Sequence, residues 1–220
     1  MTTEPDLGQL YSEARQRVTD LVGTMSAADA ETPVPACPGW NVHDVIAHMT
    51  ATNEDVLSGR LAGPPTDEQT AEQVARHRDD SVADLLALWA ELGPQFESVL
   101  SQFKVWPGVL DAVSHEHDIR GALGRPGARD SDGVRESAGV LLGFLAPPVP
   151  LVIRLEDTEI SVGEGDEPPL SLNTTRFEAL RFRMGRRSRA QLAAMDWSGD
   201  PTPILDSLVV FGPASANLIE

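Results

Sequence analysis

The chain has 220 residues, of which 41% are hydrophobic, enough to bury the core of one large domain or of a domain with a smaller companion. Its 34 acidic and 17 basic residues give a formal net charge of −17, which excludes nucleic acid and anionic membrane surfaces as expected partners. The single cysteine, Cys37, allows no intrachain disulfide, and the N-terminus has no signal-like segment. We therefore expect a cytoplasmic protein.

Four helices are predicted in the first part of the chain. Apolar residues recur at helical spacing over residues 7–22, and a second helix is expected over 42–58. A third is expected over 67–103, kinked or divided at Gly93-Pro94, and a fourth over 107–124. Four helices with short connections are typical of an antiparallel bundle, a fold that commonly builds metal sites between facing helices.

A strong stop at residues 124–127 ends the fourth helix, and the pattern changes after one more helix. A further helix is expected over 134–145, and residues 149–162 alternate in a way that predicts a β-hairpin. Three short helices are then expected, over residues 177–184, 188–195 and 203–211. We place the domain boundary near Pro147, so that residues 1–147 form a helical bundle and residues 148–220 a smaller α/β domain.

Metal-capable side chains occur in two of the predicted helices. His48 lies in the second helix, and Asp111 and His115 lie in the fourth. At positions i and i+4, Asp111 and His115 project from one helix face, one turn apart. Three protein ligands leave a divalent metal with an open position, as in catalytic zinc sites. The alternative is that these are surface or capping residues, since Asp and His four apart also form plain hydrogen-bonded pairs.

Several neighbouring residues have competing interpretations. Glu116 and His117 point away from His115 on a helix, so we predict that they lie on the surface. Asp118 could orient a ligand histidine or could pair with Arg120 or Lys104. For Cys37 we expect no catalytic role, because no activating group is close to it in the sequence.

A basic run from residue 181 to residue 189 stands out in this acidic chain. One interpretation is a solvated helix end. The other is an anion-binding edge, because the planar fork of arginine binds carboxylates through two hydrogen bonds. Arg187, or its neighbour Arg186, is the candidate for this role, and Arg120 on the predicted ligand helix is a second candidate.

The chain resembles a known family around His48, around His115 and in its C-terminal part. Residues 37–48 (CPGWNVHDVIAH) resemble a signature of the mycothiol-dependent maleylpyruvate isomerase family, which belongs to the DinB-like superfamily of metal-binding four-helix bundles. Residues 113–124 (VSHEHDIRGALG) are similar to its second signature. Segments 177–181, 185–191 and 197–200 look like the smaller domain of many members. The resemblance implies an α+β fold, with a DinB-like four-helix bundle followed by a smaller C-terminal α/β domain.

The resemblance also implies a site and an activity. By position, the metal ligands would be His48, Asp111 and His115, with zinc as the expected divalent metal and mycothiol as the thiol cosubstrate. The family has Glu where this chain has Asp111, whose side chain is one methylene shorter. A metal-bound thiolate would attack an electrophilic small molecule, giving S-conjugation in detoxification or cis–trans isomerisation of a maleylpyruvate-like diacid. Apart from the resemblance, the residues of this chain suggest Arg187 and Arg120 as further members of the catalytic site.

Other functions remain open at this stage. A non-enzymatic metal- or thiol-binding module, such as a sensor, would share the fold and the ligands. A thiol-independent metal hydrolase would need a general base, and the sequence offers no convincing one. The expected assembly is a monomer or homodimer, and mycothiol as cosubstrate would indicate an actinobacterial source.

Overall fold

The computed structural model describes residues 4–166 and 168–220. The chain divides into two compact units, one that extends to Gly127 and includes Glu220, and one from Ala128 to Ile219. The described part of the first unit is helical, whereas the second contains a four-stranded sheet and helices. The predicted α+β fold class is therefore confirmed. In the described residues, no helix has the combination of length and apolar character needed to cross a bilayer.

The helices of the first unit form a bundle. They are α1 (Leu7–Val22), α2 (Ala27–Ala30), α3 (Val42–Leu57), α4 (Asp67–Arg76), α5 (Val82–Phe103) and α6 (Trp106–Ala122). Helices α1 and α3 each pack against both α5 and α6, which makes these four the bundle, and α4 packs on α3. The predicted four-helix bundle is confirmed, with α4 as an addition to it.

The segment that we expected to be one helix, 67–103, is two helices. Ser81 accepts a hydrogen bond from the backbone of Asp84, and Asp84 accepts one from the backbone of Ser81, so this reciprocal capping box begins α5. Helix α5 then runs through Pro94 without a break. The adjacent Gly93 has a packing role, because a Cβ there would lie 2.6 Å from the guanidinium of Arg15.

The second unit begins with a helix and continues into a small sheet. Its elements are α7 (Asp132–Gly143), β1 (Leu151–Arg154), β2 (Glu159–Val162), β3 (Leu170–Asn173), α8 (Arg176–Arg183), α9 (Arg189–Ala193) and β4 (Asp196–Trp197). The strand order is β2-β1-β3-β4, with β1 antiparallel to β2 and parallel to β3, and with β3 antiparallel to β4. The predicted hairpin over 149–162 is confirmed.

Two expectations about the second unit differ from the structure. The expected last helix, 203–211, is only a short 3-10 turn at Leu205–Leu208. Helix α7, which the boundary near Pro147 assigned to the first domain, belongs to the second compact unit. The reason is that α7 packs against α8, and Arg183 of α8 donates a hydrogen bond to the backbone carbonyl of Leu141.

Candidate metal centre

The bundle brings the three predicted metal ligands together. His48 projects from α3, and Asp111 and His115 project from α6. The Oδ1 atom of Asp111 lies 3.3 Å from Nε2 of His48 and 3.4 Å from Nε2 of His115. All three donor atoms lie within 4.8 Å of one another. Both histidines are buried, while the Asp111 side chain is 31% exposed, so the carboxylate is the part of the group that solvent reaches.

These distances fit a tetrahedral metal ion. Bonds of about 2.0–2.2 Å at tetrahedral angles place two donor atoms about 3.3–3.5 Å apart, and the two separations to Asp111 Oδ1 agree with this. Two imidazole nitrogens and a carboxylate oxygen suit zinc and also nickel, cobalt or iron. The shorter side chain of Asp111 therefore reaches both histidines.

Each histidine ring is fixed by a hydrogen bond on its far side. Nδ1 of His48 lies 2.9 Å from Oε1 of Gln73, and Nδ1 of His115 lies 2.9 Å from Oδ2 of Asp118. Such bonds set the orientation of a metal-binding imidazole and leave Nε2 for the cation. The predicted orienting role of Asp118 agrees with this geometry, whereas sequence reasoning missed Gln73.

The charges within the group shift the pKa values of Asp111 and His115. Burial alone would raise the pKa of Asp111, but the nearby charges of His48 and His115 lower the pKa well below its usual range. Burial alone would lower the pKa of His115, but the charge of Asp111 and hydrogen bonds to Asp111 and Asp118 hold that pKa well above its usual value. A proton on His115 therefore competes with a cation in the metal-free protein.

The loop before α3 brings two more side chains to the centre. The ring of Trp40 lies 5.2 Å from that of His48 and 6.3 Å from that of His115, measured between centroids. Sγ of Cys37 lies 3.4 Å from Oδ2 of Asp118 and 3.8 Å from Nδ1 of His115. The sequence did not reveal these neighbours of Cys37, because the contacts join residues about 80 positions apart.

Comparison with known proteins agrees with this geometry. A family model described as "Mycothiol maleylpyruvate isomerase N-terminal domain" matches residues 11–120, half of the chain, and the match includes all three candidate ligands. The chain belongs to this family. The prediction of the family is confirmed, and with it the prediction of an enzyme rather than a protein without catalytic activity. A comparison with curated protein sequences gives no match.

Two solved structures are similar to this isomerase-family chain. One is a mycothiol-dependent maleylpyruvate isomerase, and the other is a histidine-to-alanine mutant of such an isomerase. Each has 14% sequence identity and a TM-score of 0.58, and the match covers 84% of this chain and 92% of the other. At 14% identity, the similarity supports the fold assigned to this chain.

In this family member, two residues predicted to lie on the surface of α6 are buried. Glu116 and His117 are 0% and 2% exposed, so the prediction of surface positions is wrong. Glu116 accepts hydrogen bonds from Arg17 of α1 at 2.9 and 3.0 Å and from Arg120 at 3.0 Å. The reason is that both α1 and α3 pack on α6, so more than one face of the helix is covered.

The candidate arginines have partners in the structure. Arg120 bonds Glu116 and, at 3.4 Å, the backbone carbonyl of Arg125. In the second unit, Arg187 is 6% exposed and donates two 2.7 Å hydrogen bonds to the carboxylate of Glu178. Participation of Arg120 and Arg187 in catalysis remains a prediction.

The basic run in the second unit is not a solvated helix end. Arg181 and Arg183 are 0% and 4% exposed. Arg183 donates to the backbone carbonyls of Leu141, Ser207 and Leu208, and burial lowers its pKa. Arg183 therefore ties α7, α8 and the 3-10 turn together within the unit.

Proposed function

We propose that the chain is a mycothiol-dependent thiol transferase or isomerase whose metal ion, zinc, is held by His48, Asp111 and His115. The observation that carries the proposal is the pair of separations from Asp111 Oδ1, 3.3 and 3.4 Å to the two Nε2 atoms. Membership of the family supports mycothiol as the thiol cosubstrate. A divalent cation, when bound, stabilises the deprotonated form of a thiol and so provides a nucleophile at neutral pH.

The protein's own residues would prepare the centre for this chemistry. The Nε2 atoms of both histidines face the Asp111 carboxylate, because Gln73 and Asp118 bond the opposite ring nitrogens. Three protein ligands leave room for the thiol cosubstrate. The indole of Trp40 lies against the histidine rings and would limit the access of water to them.

The same nucleophile supports two outcomes, which differ in the electrophile. With a cis-enoic diacid, the sulfur adds to one alkene carbon, the remaining single bond rotates, and expulsion of the thiolate restores the double bond in the trans form. With an alkyl halide, the new S–C bond persists and the halide leaves; with an epoxide, the C–O bond breaks and the resulting alkoxide stays in the product and takes up a proton. Either reaction gives a detoxified conjugate. Either electrophile is a small molecule, and Arg120, on the helix that carries Asp111 and His115, is proposed to bind its anionic groups or those of the cosubstrate.

The first test is metal content. Tag-free protein would be analysed by elemental mass spectrometry beside Asp111→Ala and His115→Ala, with Asp132→Ala, a change at an exposed position of α7, as the control. We expect one zinc or similar ion per chain, retained in the control and lost in both site variants. Wild-type protein that stays metal-free after incubation with zinc would refute the metal mechanism.

The second test is turnover. Metal-loaded protein would be assayed with mycothiol against maleylpyruvate, an epoxide and an alkyl halide. Thiol-dependent loss of any of these electrophiles supports the enzyme. Tight binding of mycothiol without turnover of any electrophile would instead favour the non-enzymatic binding module.

A further inference from the structure

A chain of hydrogen bonds leads away from the candidate centre through His48. Oε1 of Gln73 lies 2.9 Å from Nδ1 of His48, and Nε2 of Gln73 donates to Oδ2 of Asp55 at 2.8 Å. The other oxygen of Asp55 accepts from Arg60 at 2.7 Å and from Arg76 at 2.9 Å. Gln73 thus connects a candidate ligand to a carboxylate that is held by two arginines.

The donors and acceptors of this chain can be assigned in only one way. Burial would raise the pKa of Asp55, but hydrogen bonds from Gln73, Arg60 and Arg76 lower it overall, so the carboxylate is ionised and can only accept. Gln73 must then turn its NH₂ group toward Asp55 and its carbonyl oxygen toward His48. A carbonyl oxygen only accepts, so Nδ1 of His48 carries a hydrogen, and Nε2 is the nitrogen left to face a cation.

The burial of α4 indicates that this contact is more than packing. Gln73 is the one residue of α4 that is buried, and only 1% of it is exposed. An apolar side chain would cover α3 without the cost of removing an amide from water. A glutamine at this single buried position is explained if its function is to form these hydrogen bonds.

We propose that Gln73 is a positioning residue, which fixes the tautomer and ring orientation of His48 for the metal centre, and that Asp55 in turn fixes Gln73. The inference rests on the proposed function, because it assigns a role toward the same metal ion. His48 is then oriented by a neutral amide, whereas His115 is oriented by the carboxylate of Asp118. The two imidazoles would therefore differ in how strongly they donate to the cation.

The first experiment removes the acceptor. Gln73→Met keeps the length of the side chain without the carbonyl oxygen, and Gln102→Met, at an exposed position of α5, is the matched control. Zinc affinity would be measured by competition with a chromophoric chelator. We expect the dissociation constant for zinc to be about 10–100-fold larger in Gln73→Met and unchanged in the control. In the zinc-loaded protein, the NMR signal of the Nδ1 hydrogen of His48 should be protected from exchange in wild type and lost in Gln73→Met.

A second experiment separates the hydrogen bonds from packing. Gln73→Glu alone sets a carboxylate against Asp55 and should weaken zinc binding. In the double variant Asp55→Asn/Gln73→Glu, the new amide donates to the new carboxylate, whose second oxygen accepts from His48. Zinc affinity should therefore return at least to the wild-type level, which a loss of packing would not allow. If Gln73→Met does not fold by circular dichroism, this pair of variants decides the question.

The outcomes distinguish the two proposals. Wild-type protein that binds no zinc contradicts the proposed function itself. If wild type binds zinc and a folded Gln73→Met binds it equally, with the Nδ1 hydrogen still protected, the positioning role of Gln73 is refuted and the metal centre stands. A folded double variant that binds no better than Gln73→Glu also refutes it.

Discussion

Zinc binding to this protein should strengthen as the pH rises, because a proton on His115 occupies the position that the cation needs. The negative charge of Asp111, 3.4 Å from Nε2 of His115, and the hydrogen bond that Nδ1 of His115 donates to Asp118 hold the pKa of His115 well above its usual value despite burial. At neutral pH the metal-free protein therefore carries that proton. Asp111, whose pKa is well below its usual range, is already ionised and releases none.

The size of the effect follows from the number of protons displaced. One proton leaves His115 for each zinc bound, so each pH unit below the pKa of His115 weakens the apparent affinity about tenfold, or about 1.4 kcal/mol. The dissociation constant should level off above the pKa of His115.

Chelator competition at several pH values measures this slope, and calorimetry in buffers of different protonation enthalpy counts the released protons. Asp111→Asn is the informative variant, because it removes the charge that retains the proton on His115. Its zinc binding should be weaker overall, and its dependence on pH should level off at lower pH than in wild type. A dissociation constant that is independent of pH, with no proton released, would refute the protonated state of His115.

Three further substitutions test other parts of the first unit. Glu116→Ala leaves two arginines without their buried carboxylate and should lower the free energy of unfolding by about 3 kcal/mol in urea titrations; an unchanged value would contradict the importance of this ion pair. Tyr11→Phe removes the hydroxyl that bonds Asn53 at 2.7 Å and Trp89 at 2.8 Å, and should cost about 1–3 kcal/mol by the same measurement. Cys37→Ala should retain its metal and its mycothiol-dependent turnover, because the cosubstrate supplies the reacting thiol; a metal-loaded variant without turnover would assign Cys37 a role in the reaction.

The sequence was sufficient to predict the bundle and the three candidate ligands. Helical periodicity indicated the helices, and the i, i+4 spacing of Asp111 and His115 put these two side chains on one face. The pairing of that face with His48 depended on the family signatures, because periodicity does not say which helices are neighbours. If α3 and α6 were shifted along each other, His48 would lie far from Asp111 and His115, yet the periodicity of both helices would be the same.

The partners of the candidate ligands were harder to predict. Gln73 reaches His48 from a helix that the sequence interpretation merged with α5, although Ser81 and Asp84 already had the spacing of a capping box. Glu116 was assigned to the surface because it points away from His115 on the helix. Its partner Arg17 lies 99 positions away, and that contact exists only when α1 packs on α6.

Helix α6 is buried without interruption from Ala112 to Ile119, although five of these eight residues are ionisable or polar. An ordinary amphipathic helix tolerates replacements every third or fourth residue, on the side that meets water. In this helix, all eight positions of the segment are buried. A library of single substitutions should therefore show one continuous block of intolerant positions, so a related sequence could diverge widely elsewhere and still be recognised from this short stretch.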